Sequence, residues 1–270
     1  MIILDNHMHL RRDGRYIDAV KEFKKAGGTH LILAHLPMVK KVIEERSYFN
    51  AYQETIKMAE EASNATGIKI FVTIGPYPAD YLPLRKKFGR EGAINIMKKG
   101  MEEAQALCQE NKAIAIGEIG RPHFEVDEEA WDDSNEIMEY GMKLAKEAGI
   151  AIVLHTESMG REGFEEIAKM ADKVGLERRK VVKHFSPPFV RKDENHGIFP
   201  SVLATKKAIE EALKKGTRFL METDYIDDPL RPGAVLGLKT VPKRTKQLLD
   251  EEEAYKIHKE NPESIYGICL

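Results

Sequence analysis

Short β-branched apolar runs alternate with longer amphipathic, charged stretches from one end of this 270-residue chain to the other. The runs fall at Ile2–Leu4, His30–Ala34, Lys69–Ile74, Ala113–Ile119, Ala151–His155, Val181–His184, Ile198–Leu203 and Phe219–Thr223. Between them Val39–Ser63, Ile94–Glu110, Glu128–Ala148, Phe164–Val174 and Lys206–Lys214 read as helices. Gly67, Gly149, Gly175 and Gly216 stand where four of these helices should end, because glycine enters the left-handed C-cap conformation without a Cβ clash. Such alternation means βα units and a parallel sheet. Eight strands suit a closed (β/α)8 TIM-type barrel, regular or distorted, which needs roughly 250 residues. No G-x-G-x-x-G turn follows the first run and no G-x-x-x-x-G-K-[ST] occurs, so a nucleotide-binding open sheet lacks its signature. No break in composition marks a second domain, and residues 1–270 read as one barrel.

The ionisable residues sit on that rhythm in a telling way. His7 and His9 follow the first run, and residues at i and i+2 of a strand point to the same side. Asp5 has the same parity and is a candidate third partner. Glu118 lies near the end of the fourth run, His155 ends the fifth, His184 ends the sixth and Asp224 follows the last. Parallel strands bring their C-terminal ends to one rim, where a barrel keeps its active site. A lone histidine at a strand end is commonly structural. A register that ends five strands in His, Glu or Asp is what a mono- or binuclear divalent metal site requires.

Composition narrows the alternatives. The formal net charge of −2 gives no basic field to advertise a nucleic-acid binder. Two cysteines, Cys108 and Cys269, are too few for a disulfide framework or a thiolate metal site. No apolar run approaches a membrane span, and the first residues lack a basic, then long apolar, leader. A cytoplasmic protein with no membrane partner is expected. Charged residues reach 32%, a surplus of Lys and Glu that hints at a thermophilic source.

Asp5-Asn6-His7-Met8-His9-Leu10 resembles the D-x-H-x-H opening of the amidohydrolase superfamily. Ile116-Gly117-Glu118-Ile119-Gly120 is similar to the G-E-I-G-L-D segment of TatD-related hydrolases, and Ile152-Val153-Leu154-His155-Thr156 to their next histidine strand. Phe219-Leu220-Met221-Glu222-Thr223-Asp224 resembles their L-x-E-T-D, and Asn261 to Gly267 their N-x-x-x-L-F-G ending. The chain thus looks like a divergent, archaeal or thermophilic branch of that group. The resemblance implies one metal on His7, His9 and Asp224, and a second completed by Glu118, His155 and His184. It also implies that Asp224 is the base toward the attacking water.

Three departures bear on the substrate. Arg121-Pro122-His123 replaces the usual Leu-Asp-Tyr, and Tyr225-Ile226-Asp227-Asp228-Pro229 replaces D-A-P-Y. In Val182-Lys183-His184-Phe185-Ser186, Lys183 occupies the family's histidine position. Strict alternation would turn His184 to the opposite face unless the backbone is irregular. Lys183 reads as an outward-pointing or salt-bridged lysine, and His184 as the ligand.

The expected activity is metal-dependent hydrolysis with one or two divalent ions per chain. Zn²⁺ suits the imidazole-rich set best, with Mn²⁺ or Mg²⁺ as alternatives. Phosphodiester hydrolysis of the deoxyribonuclease type is the first expectation, with nucleic acid as a candidate substrate. The alternative is an amidohydrolase or lactonase acting on a small cyclic substrate. Arg11, Arg12, His35 and His123 follow strands and are candidate substrate contacts; Arg121, Arg161, Arg191 and Arg231 lie in other loops expected on that face.

Overall fold

The computed structural model describes residues 1–231 and 233–270. Pro232, the last residue of Asp228-Pro229-Leu230-Arg231-Pro232, lies outside the described residues. The strands are β1 (Leu4–His9), β2 (His30–Ala34), β3 (Lys69–Ile74), β4 (Ala115–Gly120), β5 (Ala151–His155), β6 (Val181–Ser186), β7 (Phe199–Leu203), β8 (Leu220–Glu222) and β9 (Tyr225–Ile226). All pairings are parallel, and β1 to β8 lie side by side in chain order. Only Thr223 and Asp224 separate β8 from β9, and Asp224 has φ 48°. The two are one strand bent at its middle: β8 pairs with β7, and β9 pairs with β1. That bend closes the (β/α)8 barrel.

Two layers of apolar side chains follow from alternation on the strands. Leu4, Ile32, Ala115, Val153, Val182 and Leu220 form an inner cluster, with Ile265 and Tyr266 of the last helix against it. The opposite strand faces put Met8, Leu31, Leu33, Ile116 and Leu154 into a second cluster with the surrounding helices. The helix Glu128–Ala148 shows why these elements form. The Asp127 side chain accepts from the Ala130 N–H at 2.8 Å, Glu128 and Glu129 favour the positive end of the helix dipole, and Gly149 at φ 69° ends it. Its buried stripe includes Ile137, Met138 and Met142, each contributing roughly 1.5–3 kcal/mol by leaving water.

Differences from expectation have local causes. The stretch Val39–Ser63 is two helices, Val39–Glu45 and Phe49–Thr66. Glu103 accepts from Ser47 Oγ at 2.7 Å and from the Tyr48 N–H at 2.9 Å, while the Tyr48 hydroxyl donates to Asp80. These long-range anchors, with Arg46 left-handed at φ 52°, override local helix propensity. The next helix runs from Tyr81 to Gln109, with a break at Gly89. The first strand starts and ends later than Ile2–Leu4, so His7 and His9 lie within it.

Three strands carry an extra residue near the rim. Pairing shifts by one between Asp5 and Met8 of β1, between Gly117 and Ile119 of β4, and between Lys183 and Ser186 of β6. A β-bulge re-aims side chains beyond it. In β1, Leu4 belongs to the inner cluster and Met8 to the outer one, so His7 and His9 come to face inward. Gly120 ends β4 at φ 136°, where an added Cβ would lie 2.3 Å from the His155 carbonyl oxygen. Gly120→Ala is therefore expected to cost about 3 kcal/mol, read as a lowered denaturation midpoint. An unchanged midpoint would mean that the rim of β4 relaxes freely.

Candidate metal centre

The three bulges and the bend at Asp224 turn five side chains toward one point. His7 Nε2 lies 3.2 Å from His9 Nε2, 3.4 Å from Glu118 Oε1 and 4.0 Å from Asp224 Oδ1. His9 Nε2 is 3.5 Å from Asp224 Oδ1. His184 Nε2 is 3.3 Å from Glu118 Oε1, and its ring stacks on His7 with centroids 3.9 Å apart. Two donor triads result, His7–His9–Asp224 and His7–Glu118–His184, each with ligand atoms within 4.8 Å of one another and all buried. His155 belongs to neither; its Nδ1 faces Glu118 at 3.3 Å and its Nε2 faces His123 at 2.9 Å and the Tyr77 hydroxyl at 3.2 Å.

Partners behind the rings set which nitrogen is free. His9 Nδ1 lies 3.0 Å from the Ala34 carbonyl and can only donate to it, leaving a lone pair on Nε2. His184 Nδ1 sits 2.8 Å from Glu222, a fully buried carboxylate that also accepts from the Phe185 N–H at 2.7 Å and from Ser201. The supply continues inward. The Tyr266 hydroxyl donates to Asn6 Oδ1, and Asn6 Nδ2 donates to Ser201 Oγ. A proton on Nδ1 would face the Glu222 carboxylate and leave Nε2 for the cluster, although Nδ1 makes no well-aligned hydrogen bond. Imidazole nitrogens and carboxylate oxygens thus converge with no lysine or arginine in either triad, the donor chemistry that fits a divalent cation.

Electrostatics agree. Burial would raise the Glu118 carboxyl, but the imidazoles of His7 and His184 and the hydrogen bond from His155 hold it well below the usual range. Burial likewise opposes ionisation of Asp224, and His9, His184 and His7 overcome it. His7 is pulled downward by burial, yet Glu118, followed by Glu222 and Asp224, pushes it up to about 9. Metal-free protein at neutral pH therefore holds a proton on His7 that a cation must displace. Metal affinity is expected to rise about tenfold per pH unit from pH ~6 until the His7 value is passed. Titrations in two buffers of different ionisation enthalpy should register the released proton; a flat profile would contradict it.

Other expected residues fall in different places. Asp5 is a buttress: it accepts from the Thr223 N–H and hydroxyl at 3.0 and 2.6 Å and from the His7 N–H at 3.3 Å. Burial pushes its carboxyl up to about 7. Arg11 pairs with Asp13 at 2.7 Å, and Arg12 with Glu61 at 2.8 Å and Glu54 at 3.3 Å, along a separate groove. His35 is buried with Nδ1 on Thr55, and burial pushes it down to about 3. His123 lines the mouth over the donor cluster, a cavity of about 350 Å³ shared with Tyr77, His155, Lys183, His184 and Asp224. Lys183 is not outward: it is 3% exposed and lines that cavity beside His184. Burial pushes its ammonium down to about 8. The bulge in β6, with Phe185 at φ 51°, lets consecutive residues both reach the mouth. Arg121 is buried, held by Glu157, Glu166 and Asn135 and stacked on Trp131. Two further residues join the site: Glu222, which the sequence marks only by standing two residues before Asp224, and Tyr77, which carries no motif.

The family model described as TatD related DNase matches residues 4–267. A Methanocaldococcus jannaschii protein named uncharacterized protein MJ1127 is 41% identical over 276 residues, covering 99% of this chain and 96% of its own. The chain belongs to the TatD-related DNase family. As a member it is a metal-dependent hydrolase, and the donor triads are the cluster such chemistry needs. Solved structures show the same fold. A TatD homologue of Escherichia coli superposes with TM-score 0.67 at 16% identity, covering 98% of both chains. The TatD-like protein of Archaeoglobus fulgidus gives TM-score 0.65 at 15% identity, covering 98% of this chain and 100% of that one. An organophosphorus hydrolase from Deinococcus radiodurans gives TM-score 0.65 at 15% identity over 98% and 92%.

Proposed function

We propose that this TatD-related protein hydrolyses phosphodiesters at a two-cation site formed by His7, His9 and Asp224 on one side and Glu118, His155 and His184 on the other. The observation that carries the reading is the pair of buried triads at an open cavity; because the one Nε2 lone pair of His7 can serve a single cation, His155, 3.3 Å from Glu118, would take its place beside the second. The cations, Zn²⁺ before Mn²⁺ or Mg²⁺ on the imidazole count, would acidify water and polarise the substrate's phosphoryl oxygen, making phosphorus more electrophilic. Asp224, held ionised by its histidine neighbours, accepts the proton of the attacking water. Tyr77 and His123, both at the cavity wall, are placed to donate hydrogen bonds to substrate or leaving group. Nucleic-acid ends and a cytoplasmic setting belong to the same reading; among the described residues no helix is long and apolar enough to cross a membrane.

A lactonase or amidohydrolase acting on a small cyclic substrate is the second reading. The modest cavity, with Phe185 and Ile226 in its wall, favours it. Elemental analysis should find one or two divalent ions per chain. Turnover of nucleic-acid ends, small phosphodiesters and lactones, each with added Zn²⁺, Mn²⁺ or Mg²⁺, then separates the readings. Protein that neither contains nor binds metal would end both.

A further inference from the structure

We infer that Lys183 is the specificity residue of this site: its ammonium binds an oxyanion of the substrate, so that the hydrolase takes negatively charged phosphoesters rather than neutral esters or lactones. The inference deepens the proposed function and rests on it.

Lys183 lies nine-tenths or more buried at the mouth cavity, next in sequence to a proposed metal ligand. Its Nζ donates to the carbonyl of His184 and makes no ion pair among the described residues. The two carboxylates that share the cavity wall have closer partners than Lys183, although the second oxygen of Glu157 is buried without a hydrogen bond. Glu157 accepts from Arg121 Nη1 at 3.2 Å, and Asp224 faces His9 at 3.5 Å. Arg121 itself is held by Glu166 and Asn135, and among the described residues no arginine lines the cavity. Arg11 and Arg12, the guanidinium groups expected at this rim, are committed to Asp13, Glu54 and Glu61. Lys183 is therefore the cationic side chain left at the mouth.

A buried ammonium that no carboxylate contacts directly is costly unless something compensates it, and Glu222, Glu157, Glu118 and Asp224 act on Lys183 only from beyond ion-pair distance. An anionic group held at the cations would do so, since lysine is a compact point charge suited to phosphate oxygens. A neutral lactone would leave the ammonium without a counter-charge in direct contact. The hydroxyl of Ser158, also at the wall, can add a hydrogen bond to the same group.

The test is calorimetric titration of the metal-loaded protein with inorganic phosphate, comparing wild type with Lys183→Met and Lys183→Gln. Methionine keeps a similar stem and removes a buried charge, so folding is expected to survive; melting temperature and metal content are measured alongside. Both variants should bind phosphate at least ~10-fold more weakly with metal content unchanged. In kinetics, kcat/KM for bis(4-nitrophenyl) phosphate should fall by a similar factor while that for neutral 4-nitrophenyl acetate holds. Wild-type phosphate affinity in either folded variant, or no phosphate binding by the loaded wild type, overturns the assignment. Acetate competing as well as phosphate would make the site one for carboxylates and overturn the phosphoester class. The hydrolase reading fails separately, by absent turnover in metal-loaded protein, and phosphate binding through Lys183 can still be scored in that case.

Discussion

Asp224→Asn is expected to lower kcat by at least ~10²-fold, with a smaller change in KM. Asp224 sits at the bend between β8 and β9, its N–H donating to the His7 carbonyl at 3.0 Å. Its carboxylate faces His9 at 3.5 Å and both His7 and His184 at 4.0 Å. The position is fixed from behind by Thr223, whose N–H and hydroxyl are held by Asp5. Asparagine keeps the shape and can still coordinate through oxygen, but its amide cannot take a proton at neutral pH. Loss of metal would mimic the effect, so the variant must be assayed with its metal content known. A metal-replete D224N protein with near-normal kcat would remove Asp224 from the base role.

Glu118→Gln should be still more damaging, because one charge there serves four rings. Its oxygens lie 3.3 Å from His155 and His184, 3.4 Å from His7 and 3.8 Å from His9. The amide would present an N–H toward lone pairs that need a cation, and the site would lose one of its two negative ligands. Affinity for the second cation should fall by at least ~10²-fold, beyond what a supporting residue costs, and turnover should fall with it. The triad of His7, His9 and Asp224 stays whole, so metal content should drop from two per chain to one rather than to none. Circular dichroism checks that the barrel survives. Two ions and wild-type turnover in E118Q would show that Glu118 is not a shared ligand.

Much of this was legible before any coordinates, for reasons that can be named. Four strand-like or helical stretches, His30–Ala34, Lys69–Ile74, Ala151–His155 and Glu128–Ala148, have the bounds that the apolar rhythm indicates. In each, local propensity and burial agree. The histidine-bearing strand ends were readable because a parallel barrel gathers them at one rim. What alternation could not display was an extra residue within a strand. A period of two cannot say that Lys183 and His184 both reach the mouth, because the bulge that allows it is a matter of pairing with β7. Asp5 shares parity with His7 and His9 on paper, yet the shift in β1 separates them, turning a candidate ligand into a support for Thr223. The break at Tyr48 was hidden because its partners, Glu103 and Asp80, lie far along the chain.

The row of hydrogen bonds inside the barrel has a polarity of its own. From the Tyr266 hydroxyl through Asn6 and Ser201 to Glu222, every donor points the same way, toward the carboxylate beneath His184. Aligned dipoles reinforce one another in a dry interior, so the helix that plugs the floor helps to set how electron-rich an imidazole is at the opposite end. The chain's last turn is thus a remote tuning element for Lewis basicity at the mouth. A fusion or truncation that shifts Tyr266 would be felt first as a weaker grip on the cation, with the rest of the barrel still in place.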